Sequence, residues 1–445
     1  MDKDLEEKVF SFGKEIFEKI QNQQSPFTFN KRYWSGRIME WSMRYPEFKV
    51  NMFRLVDVLP SLQKASSLAQ HINEYLSESA KKIHGLLEWG VNVSPHSLRA
   101  KASSFLIRKI VNQMASQFIA GADPKSAAKV LHKLREEGLA YTVDLLGEYC
   151  LSYSEAEEYL NRYLEALDVL YQESKDEKPI VEGHIADSSP VNVSVKLTAL
   201  YPHCSPVNFK KSVEALSEKL SVIVEKAKQI NAGLYIDAED TQSNPIIYEV
   251  FKRVFSDSRF KDFPLPGVVV QAYCKDSKRV LEDLLSFARE QGRKIALRLV
   301  KGAYWDTETA LANQKGWPVP VFQDKRETDK NYEELTAVLL ENIKHCVPAF
   351  GSHNIRSLSY ACCLADKVGV SKREFELQML YGMAEPIAKA FQDKGYLVRM
   401  YVPLGELIPG MGYLVRRLLE NTANESFLRH TFYDKQEVEN LLRAV

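Results

Sequence analysis

From residue 140 onward, short runs of apolar and β-branched residues alternate with longer amphipathic stretches. The runs are Ala140–Glu148, Val191–Leu197, Gly233–Glu239, Gly267–Tyr273, the first half of Lys294–Asp306, Ala349–Asn354, Phe375–Leu380 and Leu397–Val402. Between them the helical period predicts helices over stretches such as Ser154–Tyr171, Ser212–Ile230, Asn244–Phe255 and Ser277–Gln291. Strands that are each followed by a helix argue for an α/β chain and a (β/α)8 barrel. A doubly wound open sheet is the alternative, although it would usually have fewer strands.

Before the barrel the pattern is helical and rich in aromatics near Tyr33, Trp34, Trp41 and Tyr45, with Pro46 and Pro60 as punctuation. We read residues 1–50 as an arm suited to wrapping a second subunit, 51–120 as a small helical domain, 121–430 as the barrel and 431–445 as a linker. Asp123 followed by Pro124 predicts a helix start, an N-cap with proline at the first helical position.

The polar residues of the strands fall at or near their C-terminal ends. They are Glu148, Lys196, Asp237 with Glu239, Gln271, Arg298 with Lys301, His353 with Asn354, Gln378 and Tyr401. In such barrels that rim is where active sites are assembled from several strands. Arg298 and Lys301 stand out, because a cation in a dry strand costs several kcal/mol, roughly, unless an anion or hydrogen bonds answer it. The bland alternative is a satisfied polar layer inside the barrel.

Further on, Tyr413, Arg416, Arg417 and Glu420 share one face of a helix at i, i+3, i+4 and i+7. Such a face is either a solvated charged stripe or a clamp for a small carboxylate with an apolar body.

Composition narrows the partners. Lys plus Arg and Asp plus Glu both number 59, so no net charge argues for nucleic acid. No apolar run approaches the roughly 20 residues of a spanning helix, and Met1-Asp-Lys-Asp-Leu-Glu-Glu is not a signal peptide. We therefore expect a cytoplasmic chain, with contact at the periphery of the inner membrane left open. The six cysteines show no zinc spacing and read as reduced thiols. Gly410-Met-Gly-Tyr-Leu-Val415 lacks the third glycine of a dinucleotide fingerprint and follows no βαβ start, which argues against a nicotinamide site. Asp237, His203 and His353 at the mouth have no metal-ligand spacing, so no metal is expected.

Taken in order, Val-Ser-Val-Lys-Leu, Ile-Asp-Ala-Glu, Val-Val-Gln-Ala-Tyr, Leu-Arg-Leu-Val-Lys-Gly-Ala-Tyr-Trp, Ser-His-Asn, Gln-Met-Leu-Tyr-Gly-Met, Tyr-Val-Pro and Tyr-Leu-Val-Arg-Arg-Leu-Leu-Glu-Asn resemble one family. It is the flavin-dependent proline dehydrogenase, and specifically the proline dehydrogenase half of bifunctional proline utilization A proteins. The likeness runs from about residue 120 to the end. It implies a distorted (β/α)8 barrel holding FAD non-covalently and oxidising L-proline to Δ1-pyrroline-5-carboxylate. Electrons would pass to a membrane quinone. A Δ1-pyrroline-5-carboxylate dehydrogenase domain or protein would be the partner, and a homo-oligomer is left open.

The resemblance places Arg416 and Arg417 on the substrate carboxylate with help from Lys196, and Glu148 on Arg416. Asp237, Tyr304, Leu380, Tyr401 and Tyr413 would enclose the pyrrolidine ring, with Arg298, Lys196, Asp237 and Tyr304 the catalytic set. Gln271, Arg298, Val300, Lys301, Gly302, Trp305, Lys325, Ser352, His353, Asn354, Gln378, Arg417, Glu420 and Phe427 would line the flavin. Arg298 would stabilise the anionic reduced flavin.

Departures from the family pattern are specific. Gln323 and Asp324 stand where Thr and Arg are more usual, which bears on a flavin contact at Lys325. The stretch from Glu385 to Arg399 is short, and no ribbon-helix-helix precedes the arm. The ending Tyr433 to Val445 resembles the linker into the second catalytic domain, as in a chain cut there; a natural stand-alone enzyme is the alternative. The rival readings are a metal-dependent barrel hydrolase using Asp237, Glu239 and His353, and a non-catalytic binding barrel.

The carboxylate clamp generates the first test. Arg417→Met is expected to raise the KM for L-proline by orders of magnitude, since truncating one partner of a buried charge pair costs about 2–5 kcal/mol. Steady-state kinetics with an unchanged KM would remove Arg417 from the substrate site.

Overall fold

A computed structural model of the chain describes residues 2–23, 118–147, 149–383 and 385–406 continuously, together with scattered positions between 51 and 109, residue 410 and residues 442–443. Its centre is a closed, all-parallel barrel in the order β1 to β8. The strands are β1 (Ala140–Leu145), β2 (Asn192–Val195), β3 (Gly233–Ile236), β4 (Pro266–Gln271), β5 (Ile295–Val300), β6 (Cys346–Gly351), β7 (Glu376–Leu380) and β8 (Val398–Leu404). Closure comes from β1 against β8, in register from Ala140 with Arg399 to Leu145 with Leu404. Each strand overlaps a run predicted from the pattern, β6 beginning three residues earlier than its run and β8 ending two residues later, and the open-sheet alternative falls.

The described helices are α1 (Lys3–Gln23), α2 (Ala65–Ala80), α3 (Pro124–Glu136), α4 (Tyr153–Ser174), α5 (Phe209–Gln229), α6 (Asn244–Phe255), α7 (Ser277–Glu290), α8 (Trp305–Lys315), α9 (Lys325–Glu341), α10 (Ile355–Lys367) and α11 (Glu385–Gln392). Asp123 caps α3 in a reciprocal capping box with Ser126, and Pro124 opens the helix. Helix α4 begins at Tyr153 because Ser152 accepts the Glu155 N–H. Helix α8 begins at Trp305, directly beyond the β5 rim.

Strand parity sorts the side chains. Tyr141, Val143 and Leu145, Val193 and Val195, Leu234 and Ile236, and Leu297 and Leu299 face outward into the main core shared with the helices. The inward set is largely polar or small, and Tyr235, Ala296 and Ala349 pack together inside the barrel. Gly267 makes room for this, since a Cβ there would stand 2.5 Å from the Tyr235 ring.

The end of the barrel where the strands begin is closed by an ion pair. Glu376 and Arg399 are 0% and 1% exposed, and Arg399 Nε donates to both Glu376 oxygens at 3.0 and 2.9 Å. The remaining guanidinium donors reach the carbonyls of Tyr141 at 3.0 Å and Ala186 at 2.7 Å. Arg399 thereby ties the strands to the turn Ile185–Asp187 that plugs this end.

Within the stretch read as an arm, Lys3–Gln23 form one helix. Helix α1 lies on α10 and α11 of its own barrel, burying Val9, Ile16, Phe17 and Ile20, with Phe12 6.1 Å from the Phe391 ring. A stripe recurring at helical spacing needs an apolar surface, and the barrel's own helices supply it.

Arg399→Met is expected to destabilise the chain by about 3–5 kcal/mol, because Glu376 would stay buried without its counter-charge. The double change Glu376→Gln with Arg399→Met should recover much of that loss in denaturant unfolding. A double variant as unstable as the sum of the singles would mean that the pair is not what the single change breaks.

Candidate active site

At the opposite end the inward side chains converge on one cavity. Its lining includes Lys196, Asp237, Gln271, Arg298, Val300 to Tyr304, Gly351 to His353, Gln378 to Leu380 and Tyr401. Every strand from β2 to β8 ends on it or just short of it.

Its floor is a charged cluster. Arg298 Nη1 donates to Asp237 Oδ1 at 2.7 Å, and Nη2 to Ser194 Oγ at 3.0 Å. Tyr401 donates to the other oxygen, Oδ2, at 2.6 Å. Lys196 Nζ stands 3.7 Å from that oxygen, 3.3 Å from the Tyr401 hydroxyl, and in direct contact with Asp144. The Arg298 guanidinium lies 4.1 Å from the centre of the Tyr235 ring and 5.3 Å from that of Tyr401, a cation–π arrangement. Two carboxylates thus answer two cations. With both oxygens engaged by charged or hydroxyl donors, Asp237 acts as a brace that fixes Arg298 and Tyr401.

Asp144 was not among the expected residues. It is fully buried, and burial pushes its carboxyl above the usual range while Lys196 pulls it down. One signal was available: Asp144 follows Thr142 at inward parity in a strand whose other positions, Tyr141, Val143 and Leu145, are apolar.

The loop after β3 ties the rim together. Glu239 accepts the Thr198 N–H at 3.1 Å and also the Thr198 hydroxyl. Thr241 donates its N–H and its hydroxyl to the two oxygens of Glu308, each at 2.6 Å. Glu308, on α8, is four residues past Tyr304, so the loops carrying Asp237 and Tyr304 are held to one another. Asn244 donates to Gln271 Oε1 at 2.9 Å.

On the far side, the Leu380 N–H donates to His353 Nε2 at 2.9 Å, so that ring nitrogen is an acceptor. Lys301 pairs with Asp329 of α9, and Lys325 reaches the other Asp329 oxygen at 2.9 Å. Burial pushes the Lys301 amine down to about 8 against the pull of Asp329.

Several expected residues stand outside the lining. Trp305 donates its indole N–H to the Phe322 carbonyl at 2.8 Å, Asn354 caps α10 by accepting the Ser357 N–H, and Lys325 is engaged with Asp329. Asp324 caps α9 with Glu327 in a capping box, which gives the departure from the family pattern at this position a structural role. Glu148, Tyr413, Arg416, Arg417, Glu420 and Phe427 lie outside the described residues. Among the described residues no His, Cys, Asp or Glu cluster is arranged to hold a metal.

Lys301 carries a pH signature. Its folded value of about 8 lies below the ordinary 10.5. Between those limits the unfolded chain holds the extra proton, so this group makes stability rise with pH across that window. Lys301→Met, in which Asp329 keeps Lys325, is expected to flatten the rise when urea midpoints are compared from pH 8 to 10.5. Parallel profiles for the two proteins would place the Lys301 amine in a wetter setting.

Comparison with known proteins agrees with this architecture. Residues 127–430 match the family described as proline dehydrogenase, and residues 6–118 match the proline utilization A N-terminal domain. Bifunctional protein PutA of Salmonella typhimurium is 30% identical over 95% of this chain and 34% of its own length. Proline dehydrogenase 1 of Bacillus subtilis subsp. natto is 30% identical over 71% of this chain and 89% of its own. The crystal structure of proline utilization A from Bdellovibrio bacteriovorus, inactivated by N-propargylglycine, superposes with a TM-score of 0.89 at 40% identity, covering 99% of this chain and 44% of that one. The chain thus spans about a third of the length of that Salmonella relative. With the matched region running through all eight strands and the charged cavity they form, the chain belongs to the proline dehydrogenase family.

Proposed function

We propose that this chain oxidises L-proline to Δ1-pyrroline-5-carboxylate with bound FAD, the first step of proline catabolism. The observation that carries the reading is the braced cation at the floor of the cavity, Arg298 held by Asp237 and Ser194 with Lys196 and Tyr401 beside it.

The described residues fit a flavin. Buried at the cavity, Arg298 Nε and Gln378 Oε1 are a donor and an acceptor without partners among the described residues. The edge of a flavin's pyrimidine ring presents both acceptor and donor atoms, which would answer an orphan of each kind. Val269, Val300 and Leu380 supply apolar surface, and Gly302 and Gly351 bring backbone close to the cavity. Bound FAD supplies the acceptor for the hydride leaving the ring carbon next to nitrogen.

The chain's own residues bind and orient. Arg298 and Lys196 present positive charge to the cavity, suited both to a carboxylate substrate and to negative charge developing on reduction. Tyr401 and Leu380 give its wall an apolar face for a five-membered ring. The resemblance adds Arg416 and Arg417 as the carboxylate clamp, Glu148 on Arg416, and Tyr413 over the ring. A metal-assisted hydrolase finds little support, because the carboxylate oxygens of Asp237 and Glu239 are already engaged by Arg298, Tyr401 and Thr198.

For the electrons we propose a membrane quinone, reached from a cytoplasmic chain that touches the inner membrane peripherally. No helix among the described residues is long and apolar enough to cross a membrane. The product would pass to a Δ1-pyrroline-5-carboxylate dehydrogenase domain or protein.

The visible spectrum of the purified protein should show flavin bands that bleach when L-proline is added without oxygen. Tetrahydrofuran-2-carboxylate, which keeps the carboxylate on a ring without the amine, should compete with proline. Flavin bands that persist would force another substrate, and a chain that takes up no FAD would overturn the reading.

A further inference from the structure

Arg356 lies in the first turn of α10, three residues beyond His353 of the cavity lining, and is 3% exposed. All five of its N–H donors are used. Nε and Nη2 grip Glu333 of α9 at 3.0 and 3.1 Å. Nη1 and Nη2 grip Glu6 of α1 at 3.0 and 3.2 Å, and Nη1 also reaches the Leu442 carbonyl at 2.9 Å. One guanidinium therefore joins the N-terminal helix, two barrel helices and a residue near the C-terminal end.

Two short routes lead from this joint to the cavity. Through α10, Arg356 fixes the turn that begins with the cap Asn354 and carries Ser352 and His353 just ahead of it. Through α9, Glu333 is one turn from Asp329 on the same helical face, and Asp329 holds Lys301 of the lining. Glu6 supplies one of the two carboxylates that neutralise Arg356, although it belongs to the region matched by the N-terminal domain rather than to the region matched by the dehydrogenase.

We propose that α1 is a positioning element of the cofactor pocket, acting through the Glu6–Arg356 ion pair on the β6–α10 rim and on α9. The proposal rests on the flavin reading above. Without Glu6, the guanidinium keeps only Glu333 and a carbonyl in a nearly dry setting, and the first turn of α10 must shift or admit water. Because helices pack as rigid units, that shift is passed to His353 and Ser352 rather than absorbed locally.

The test uses the full chain, stripped of flavin and titrated with FAD by fluorescence quenching, as wild type, Glu6→Gln and Glu15→Gln. Glu15, also on α1, pairs at the surface with Lys394 just past α11 and controls for general loosening of α1. The expected result is an FAD dissociation constant raised about tenfold or more in Glu6→Gln, with Glu15→Gln at the wild-type value. The proline KM at saturating FAD should be the same in all three. Wild-type FAD affinity in Glu6→Gln, whether or not hydrogen exchange shows α1 opening faster, would overturn the proposal and leave α1 as packing only. Equal weakening in Glu6→Gln and Glu15→Gln would overturn it too, since the specific pair would then not matter. A wild-type chain that binds no FAD at all is a different failure, that of the flavin reading itself, and it takes the proposal with it.

Discussion

The structure depends on charge compensation inside a barrel that water barely enters. Arg298 of β5 and Arg399 of β8 point inward, one toward each end of the barrel, and Lys196 joins the first. Each has a carboxylate from another strand, Asp237, Glu376 or Asp144. Pairs of this kind rarely stabilise a protein relative to apolar packing of the same volume, because both members are taken out of water. Their presence near the barrel axis is better explained by what they do. Glu376 and Arg399 seal one end, and the Asp237 cluster leaves Arg298 Nε without a partner among the described residues at the other.

Room for these side chains comes from what the strands omit. Ala296, Ala349 and Gly267 are small inward residues packed around Tyr235, and a Cβ at Gly267 would collide with that ring, which flanks the guanidinium. Tyr235 serves both neighbours. It offers its face to Arg298 and its hydroxyl to Glu376 at 3.4 Å, so the sealing pair and the reactive end share a layer.

The strand sequence was legible because parallel barrel strands are bounded by apolar outer faces and end in polar residues. Lys196, Asp237, Gln271, Arg298, Gln378 and Tyr401 could be picked out on that ground alone, and the structure gathers them at one cavity. Asp144 escaped attention because Glu148, nearer the end of the run, looked like the rim residue of β1. Parity along the run would have kept Asp144 beside Glu148, since the two are four residues apart and share the parity of the inward set. Asn354 and Trp305 show the opposite limit. A polar residue just past a strand is as often claimed by the start of the next helix as by a ligand, and only coordinates reveal that Asn354 holds the Ser357 N–H and Trp305 the Phe322 carbonyl. The partners Glu308, Asp329 and Glu333 carry no signal in sequence, since an acidic residue on an amphipathic helix normally faces water.

Those three helical carboxylates bear on how the site is held. Strand ends set where Arg298 and Asp237 stand, but the loops beyond the strands are fixed from outside, Thr241 by Glu308, Lys301 by Asp329 and the α10 turn through Arg356 by Glu333. Helices α8 and α9 thus grip the rim as well as cover the sheet. Because α9 also meets α1 through Arg356, the grip on one side of the cavity extends to the beginning of the chain. In a fold whose central sheet is complete without that helix, a buried ion pair reaching it is hard to explain by stability alone, given how little such pairs return. Its place behind His353 and Lys301 supplies the reason that stability does not.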